Sequence, residues 1–409
     1  MENNISKPSP ASRFKNWFFS LVPGIITAAL VFGPSKITIT SKLGADYGYD
    51  LVWIVFVAIF FMAVFTSMAA RVGLATQVSL LTTVREKWGK GAPVAVGIGI
   101  FLVTSSFQAG NSIGLGIALG EMFQTPPAIW IILFNLIGLG LLFFRTFYKV
   151  LERIMVTLVT IMLITFLTTL FFVQPPAGQI IKGLVPAIPH GSSGLIIAFI
   201  ASCFSIVGAF YQTYLVQERR RLSPASNFTD NSSTGILILG LMSAIVLICA
   251  ASVLHPRGVH VNSATDMAKA LEPLVGKYAK VLFLFGLFGA SFSALIGNAS
   301  VGGTLLGDAL GYGNQLNAKI VRALIALIML IGASVAVIFG KLPLQLIIFA
   351  QSITVLVVPF IGLALYNIAN DRSIMGAYRN TLTIKVVGGL GLLLITGLAI
   401  ENLREMFMK

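Results

Sequence analysis

Apolar runs of about 20 residues recur along the whole chain and are separated by short polar loops. An α-helix of that length crosses the hydrocarbon core of a bilayer, and it satisfies its own backbone hydrogen bonds where no water is present. Hydrophobic residues make up 56% of the 409 positions and charged residues 10%, whereas a soluble protein carries about 25% charged residues. The chain is therefore predicted to be an all-α integral membrane protein without a separate soluble domain.

About 11 transmembrane helices are predicted, each near the length that a bilayer requires. The first and the sixth of them contain interruptions. Residues 1–16 before them form a polar, basic tail. The predicted spans fall near 17–46, 50–72, 92–120, 127–144, 150–174, 194–217, 234–254, 279–304, 319–340, 343–368 and 381–401.

The basic residues predict the orientation of these helices. The formal net charge of +14 does not indicate a nucleic-acid partner, because Lys and Arg fall mostly in alternate short loops, as the positive-inside rule expects. The N-terminus is then cytoplasmic and the C-terminus outside, in a multi-pass protein of the cell (inner or plasma) membrane. The basic stretches are Lys7–Lys15, Arg71–Lys90, Arg145–Lys149, Arg219–Arg221, Lys319–Arg322 and Arg372–Arg379.

The first interruption is Gly33-Pro34-Ser35-Lys36, in the middle of an apolar span. Proline removes a backbone donor and clashes with the preceding turn, so the helix is predicted to break there. Broken backbone at membrane depth persists only where it lines a cavity or is buried in protein. A lysine at this depth costs roughly 2.5–3.5 kcal/mol on insertion scales, which makes Lys36 a candidate functional residue.

The second interruption is predicted within residues 201–210, where small and polar residues cluster and Gly208 is the weak point. It lies five spans after the first. Matching interruptions in two halves indicate an inverted-repeat transporter with its site at the bilayer midplane. The predicted organisation is a first repeat at 17–174 (helices 1–5), a second at 194–368 (helices 6–10) and an extra helix at 381–401.

At this point the chain resembles the NRAMP (natural resistance-associated macrophage protein) family of divalent-metal transporters over nearly its whole length. The resemblance implies a LeuT/APC-type 5+5 inverted repeat with broken helices 1 and 6. No single motif is decisive, but their order and spacing together support the assignment. The matching stretches are Val22-Pro23-Gly24, Tyr47–Trp53, Gly183–Pro186, Leu215-Val216-Gln217, Ala270–Leu274 and Ala369–Gly376.

The chain departs from the family at the positions that bind metal. The family's Asp-Pro-Gly-Asn falls on Gly33-Pro34-Ser35-Lys36, so the ligating aspartate and asparagine are glycine and lysine here. The family's Met-Pro-His falls on Ser205-Ile206-Val207. A hydroxyl therefore replaces the thioether that selects soft transition metals. This branch lacks the usual metal-binding residues.

Other family positions also differ in charge. The family's second histidine in the sixth helix falls on Gln212, and two acidic positions tied to proton movement fall on Gln108 and Asn111. Gln351, in the tenth span, matches a family glutamine near the substrate. Of these family positions, this chain keeps the polar glutamine, and it has neutral amides in place of the histidine and the two acidic residues.

The residue types within the spans argue in the same direction. No aspartate or glutamate lies deep in a predicted span, and the three histidines, His190, His255 and His260, lie in predicted loops. A divalent cation needs carboxylate, imidazole or thiolate ligands according to its softness. Cys203 and Cys249 lie inside apolar spans and form neither a disulfide framework nor a zinc pattern. No metal site and no cofactor are expected.

Lys36 has three interpretations. It pairs with an anionic substrate, helped by half-helix N-termini that point into the cavity; or it carries the coupling proton as a buried lysine; or it is a fixed ammonium that bonds the carbonyls freed by the break. The first two are compatible, because a lysine that binds an anion can also release its proton.

The leading hypothesis is a secondary transporter of a small anion, a bicarbonate-like oxyanion, that works by alternating access coupled to Na⁺ or H⁺. The predicted substrate-binding residues are Gly33, Pro34, Ser35, Lys36, Cys203, Phe204, Ser205 and Gln351. The predicted coupling or polar pathway is Lys36, Thr38, Gln108, Asn111 and Gln212.

Two alternatives remain open. The first is transport of a divalent cation, Mg²⁺ or Mn²⁺, in a hydrated form that needs fewer direct ligands. The second is a sensor that does not transport. The sequence contains no catalytic constellation or nucleotide motif, so an enzyme is not expected. The expected partners are a small ionic substrate and the lipid bilayer.

Overall fold

The computed structural model describes residues 32–142, scattered positions between 157 and 168, and residues 170–203, 206–222, 232–261, 277–339 and 344–407. These residues form helices, turns and loops, and no strand occurs among them. The first half of the predicted first span and most of the predicted span at 150–174 lie outside the described residues.

Fourteen α-helices are distinguished within this part of the chain, together with 3₁₀ turns at His255–Arg257 and Gly376–Tyr378. The α-helices are α1 (Pro34–Tyr47), α2 (Val52–Ala75), α3 (Leu80–Trp88), α4 (Gly91–Phe123), α5 (Pro127–Leu141), α6 (Ala177–Lys182), α7 (Ser193–Cys203), α8 (Ile206–Leu222), α9 (Ser232–Val253), α10 (Lys277–Ala309), α11 (Lys319–Phe339), α12 (Leu344–Asn370), α13 (Arg372–Met375) and α14 (Leu382–Phe407).

Eight helical stretches in the described ranges are long and apolar enough to cross a membrane. They are α2, α4, α7 with α8, α9, α10, α11, α12 and α14, and all eight coincide with predicted spans. Helix α5 is a shorter apolar helix of 15 residues at the start of the predicted span 127–144. The apolar runs of the sequence therefore correspond to the helices of the fold.

Helix α3 is an element that the apolar runs did not predict. It begins at an N-cap, Ser79, whose hydroxyl accepts a hydrogen bond from the backbone N–H of Thr82 at 3.0 Å. It ends before Gly89, which has a positive φ of 81°. Arg85 in its last turn donates to the carbonyl oxygen of Ala309 at 2.8 Å. This bond ties α3 to the end of α10.

Small residues bring the long helices into close contact. Helices α4 and α10 pack along one another, and a Cβ added at Gly302 of α10 would lie 2.2 Å from the hydroxyl oxygen of Thr104 in α4. A Cβ at Gly44 of α1 would lie 2.3 Å from the carbonyl oxygen of Leu247 in α9. Glycine permits such approaches between membrane helices, where packing rather than the hydrophobic effect drives association.

The first predicted break is found at the start of α1. Gly33 is the N-cap of this helix with extended backbone, and Pro34 occupies the first helical turn, where its missing N–H costs nothing. The backbone N–H groups of Lys36 and Ile37 return to the carbonyl oxygen of Gly33. Pro34 therefore begins a helix in the middle of the protein.

The second predicted break, within residues 201–210, falls partly outside the described residues. Gly208 lies inside α8 and does not interrupt it. Helix α7 ends at Cys203, α8 begins at Ile206, and the two residues between them, Phe204 and Ser205, lie outside the described residues. The expectation of a weak point at Gly208 was therefore wrong. A glycine flanked by Val207 and Ala209 continues the helical backbone at a modest cost of about 1 kcal/mol.

Candidate substrate-binding site

A cavity of about 70 Å³ lies where the start of α1, the end of α7 and the start of α8 meet the middles of α4, α10 and α12. It therefore includes the helix start at Pro34, and broken backbone at membrane depth is tolerated where it lines such a cavity. Apolar side chains of α4, α8 and α12 line part of the wall. The polar groups on that wall come from Ser35, Lys36, Asn111, Ser202, Asn298 and Gln351, with the hydroxyls of Thr104 and Thr354.

Lys36 brings a cation into this cavity. Its side chain is 2% exposed, and none of the described residues hydrogen-bonds to its Nζ. The Nζ atom lies 5.8 Å from the centroid of the Phe32 ring, at the outer limit of a cation–π contact. The Cys203 thiol lies nearby but not in hydrogen-bond geometry. The ammonium is thus buried without a counter-charge among the described residues.

Gln351 adds a second unsatisfied polar group to the same wall. It is 1% exposed, and neither its Oε1 nor its Nε2 has a hydrogen-bond partner in the described structure. Leaving a buried amide unpaired costs about 1–3 kcal/mol. Lys36 and Gln351 therefore both bring unpaired polar atoms to the wall of one cavity.

Gly33 contacts α4 so closely that no side chain fits at this position without a shift. A Cβ added there would lie 2.8 Å from Oδ1 of Asn111 and 3.4 Å from the Cβ of Ala294. Pro34 packs equally closely against Gly114 of α4, because a Cβ added at Gly114 would lie 2.4 Å from the Cβ of the proline. The amide of Asn111 therefore occupies the space that a side chain at Gly33 would need.

Gln108 lies behind the cavity wall rather than on it. Its Nε2 donates to the carbonyl oxygen of Leu295 at 2.9 Å, and its Oε1 accepts from Nδ2 of Asn298 at 3.3 Å. Among the predicted pathway residues, Thr38 donates its hydroxyl to the carbonyl oxygen of Pro34 at 3.0 Å, and the buried Gln212 does not reach the cavity. These three side chains have structural contacts in this conformation.

The structure brings together Gly33, Ser35, Lys36, Asn111 and Gln351 of the predicted site residues. Two other predicted substrate-binding residues, Pro34 and Cys203, are buried beside the cavity but are not on its wall. Pro34 packs against α4, and Cys203 faces the region of Lys36 and Ser243. The predicted binding residues Phe204 and Ser205 lie outside the described part of the chain.

Sequence reasoning missed the contribution of α10. Asn298 lines the cavity from the second half of the predicted span 279–304. An amide inside an apolar run was the signal available, because polar residues within a membrane span are rare and often functional. Thr104, Ser202 and Thr354 were also missed, since hydroxyl residues in membrane helices most often bond to their own backbone.

A second, larger cavity of about 930 Å³ begins about one helical turn beyond the first. Gly208 and Val301 line the first cavity, while Tyr211 and Thr304, three residues later on α8 and α10, line the second. The second cavity is also lined by the loop residues 76–79 and 314–317, on the side predicted to be cytoplasmic. It forms a vestibule between the first cavity and these loops.

Asp308 is a buried acidic residue on the wall of this vestibule. Tyr214 donates its hydroxyl to Oδ2 of Asp308 at 2.6 Å and accepts from the backbone N–H of Leu81 at 3.3 Å. The aspartate is 6% exposed. Asp308 lies beyond the predicted end of this span at 304, but α10 continues to Ala309. The longer helix carries Asp308 into the buried interior.

Metal-ligating side chains do not cluster in the described part of the protein: it contains no group of three or more His, Cys, Asp and Glu residues. His255 bonds through Nδ1 to the carbonyl oxygen of Ala45, and His260 contacts the carboxylate of Asp46 at 3.1 Å. Both histidines therefore hold the loop after α9 against the end of α1, away from the cavity.

The fold and the cavity define a class of protein. An all-helical membrane bundle with a polar cavity at the start of α1 has a LeuT-like fold. The sequence model of the family described as natural resistance-associated macrophage protein-like matches residues 24–404. The chain belongs to this Nramp family, whose members are membrane transporters rather than enzymes.

Relatives and solved structures support the assignment. The chain is 26% identical over 380 residues to the divalent metal cation transporter MntH of Mycobacterium tuberculosis, covering 90% of this chain and 86% of that protein. It is 27% identical over 436 residues to MntH of Bacillus subtilis, covering 100% of both. The Eremococcus coleocola manganese transporter superposes with a TM-score of 0.75 at 19% identity, covering 98% of this chain and 89% of that one. The family resemblance and the fold predicted from the sequence are therefore confirmed.

Proposed function

We propose that this Nramp-family transporter carries a small anion by alternating access, with Lys36 as the counter-charge of the substrate. The observation that carries the proposal is the Nζ of Lys36, which is buried at the cavity and has no partner among the described residues. A buried charge without a partner is strongly unfavourable. A bound anion would supply that partner. The proposal includes an N-terminus on the cytoplasmic side and a location in the cell (inner or plasma) membrane.

Electrostatics favour an anion over a cation at this position. At 4 Å and an effective dielectric constant near 20, each pair of unit charges interacts by about 4 kcal/mol. An anion would gain that energy from Lys36, whereas a divalent cation would be repelled by roughly twice as much. The wall offers hydroxyl and amide groups but no carboxylate among its lining residues, so nothing there offsets the repulsion.

The size of the cavity favours a substrate of a few heavy atoms. A volume of about 70 Å³ corresponds to about five to seven water positions at 10–15 Å³ each. A planar oxyanion such as hydrogencarbonate suits one ammonium and several neutral polar groups. The coupling ion in this proposal is Na⁺ or H⁺.

A second candidate is transport of a divalent metal cation, Mn²⁺ or Mg²⁺. The observation that favours it is the set of relatives named divalent metal cation transporters and the superposition on a manganese transporter. These names support a metal substrate better than an anion. For this candidate to hold, Lys36 must be neutral when the cation binds, and a hydrated ion such as Mg²⁺ must use the amide and hydroxyl oxygens through its own water.

Flux through purified protein in proteoliposomes separates the two candidates. Uptake of labelled hydrogencarbonate is measured against protein-free liposomes, which report the CO₂ that diffuses through the bilayer. Uptake of Mn²⁺ and Mg²⁺ is followed in parallel with a metal-sensitive fluorophore trapped inside. Anion uptake above the liposome background supports the first candidate. Metal uptake without anion uptake refutes it and supports the second, and no flux of any ion supports a sensor.

A further inference from the structure

Asn298 contributes an amide from the second half of α10 to the cavity that Lys36 lines. The residue is half-buried. Its Nδ2 donates to the carbonyl oxygen of Thr104 at 2.6 Å and to Oε1 of Gln108 at 3.3 Å. Both hydrogens of the Asn298 amide are therefore used on α4.

The orientation of this amide is fixed by groups that can only accept. Gln108 donates its Nε2 to the backbone carbonyl of Leu295 at 2.9 Å, so its Oε1 must face Asn298. The carbonyl of Thr104 also accepts and cannot donate. If the Asn298 amide flipped, its oxygen would oppose two acceptors. Its Oδ1 consequently remains as an acceptor, and none of the described residues donates to it.

The hydroxyl groups on the same wall are acceptors too. Thr104, Ser202 and Thr354 each donate their single hydroxyl proton to a carbonyl of their own helix. The remaining lone pairs of these oxygens can only accept a hydrogen bond. The cavity thus combines one cation with several fixed acceptors. The bonds are 2.9 Å to Ile100, 2.8 Å to Phe199 and 2.9 Å to Ala350.

We propose that the substrate is an anion that also carries a hydrogen-bond donor, and that Asn298 Oδ1 selects it through this donor. This inference rests on the proposed anion transport and narrows its substrate class. Hydrogencarbonate meets both requirements, with a negative charge for Lys36 and one hydroxyl for Asn298. Nitrate has the same planar shape and charge but no hydroxyl. It would leave the oriented acceptor unpaired, which is how polar sites reject analogues that lack a donor.

The test compares hydrogencarbonate and nitrate uptake in the same batch of proteoliposomes. Wild type should prefer hydrogencarbonate by at least about tenfold. In Asn298→Leu the ratio should fall to within about threefold, because hydrogencarbonate loses its acceptor and nitrate loses nothing. The ratio is internal to each preparation, so a lower yield of folded variant does not affect it. Asn135→Leu is the matched control, since Asn135 is a buried amide on α5 that does not line the cavity.

A binding measurement covers a variant that no longer transports. The melting temperature in detergent is measured at increasing concentrations of sodium hydrogencarbonate and, separately, of sodium nitrate. The concentration at which each salt raises the melting temperature gives the ratio of the two binding affinities without a flux measurement. Equal transport and binding of the two anions by wild type would overturn this inference and leave anion transport standing. An unchanged ratio in Asn298→Leu would also overturn it. If neither anion is transported or bound and Mn²⁺ enters, the inference and the proposed function both fail.

Discussion

Replacing Lys36 by methionine removes the ammonium while keeping an unbranched side chain of similar length. If the anion binds about 4 Å from Nζ, the lost attraction at an effective dielectric constant near 20 is about 4 kcal/mol. One factor of ten in affinity corresponds to about 1.4 kcal/mol, so the anion should bind about a thousandfold more weakly. Uptake at a fixed low anion concentration should fall to the level of protein-free liposomes.

The stability of the same variant should change in the opposite sense. The Nζ of Lys36 is buried and has no partner among the described residues. Replacing a buried charge by an apolar group of similar volume is often neutral or stabilising, by about 1–4 kcal/mol where the effect is measurable. The melting temperature of Lys36→Met without anion should therefore equal or exceed that of wild type.

Two measurements decide this prediction: anion uptake in proteoliposomes and thermal unfolding in detergent without anion. Lys42→Met is the matched control, because Lys42 lies on the same helix and pairs with Asp46 at 2.9 Å. The control should retain uptake. The reasoning is refuted if Lys36→Met keeps its anion affinity within about threefold of wild type, which is about 0.7 kcal/mol. It is also refuted if this variant unfolds several degrees lower, since Lys36 would then be a structural cation.

Three further changes test other contacts. Tyr214→Phe removes the hydroxyl that donates to the buried Asp308 at 2.6 Å, so thermal unfolding should lose about 1–3 kcal/mol. Gly33→Ala places a Cβ 2.8 Å from an amide oxygen of α4 and should cost about 1–3 kcal/mol through overpacking. The hydrogen bond from Lys87 holds the pKa of Asp371 below its ordinary value. The stability that this pair contributes is therefore present above pH about 4 and is lost as the pH falls through the lowered pKa. The difference in melting temperature between wild type and Asp371→Asn should therefore shrink below pH about 4.

Each of these changes has a control and a contrary result. Tyr312→Phe alters an exposed tyrosine and should leave the melting temperature unchanged; equal effects of both tyrosine variants would contradict the first expectation. Gly140→Ala adds a methyl group where no atom lies within 4 Å, so an equal loss at both glycines would contradict the second. The control for the pH prediction is Asp50→Asn. That prediction would be contradicted if the difference in melting temperature between wild type and Asp371→Asn stayed constant down to pH 3.

Much of the fold could be predicted because the bilayer constrains a chain more strictly than water does. Apolar length predicted the eight spans found among the described residues, and Pro34 predicted the start of α1. Gly208 misled the prediction, because glycine in a membrane helix serves close packing as readily as a break. Helix α3 was hidden, since its nine residues are amphipathic and too short to register as an apolar run.

The candidate site could be predicted only in part. A lysine at membrane depth is conspicuous in a sequence, and Lys36 is on the cavity wall. The direction of a hydrogen bond cannot be read from a sequence. The orientation of the Asn298 amide, with Oδ1 free to accept, therefore follows only from the structure. The same limit applies to Asp308, because its burial follows from the continuation of α10 to Ala309 and from its contact with Tyr214 of α8 rather than from its neighbours in the chain.

The departures of this site from the family's metal-binding pattern depend on one another. Gly33 lacks the carboxylate that its family position implies, and the space of that side chain is occupied by the amide of Asn111, 2.8 Å from where a Cβ would lie. An aspartate introduced at Gly33 alone would therefore displace the amide and face Lys36 three residues later. It would neutralise the ammonium before it could ligate a metal. A metal site here would require changes at Gly33, Lys36 and Asn111 together, on two helices. The seat of Pro34 on Gly114 involves none of these side chains, so the helix start that shapes the cavity is independent of the charge the cavity carries.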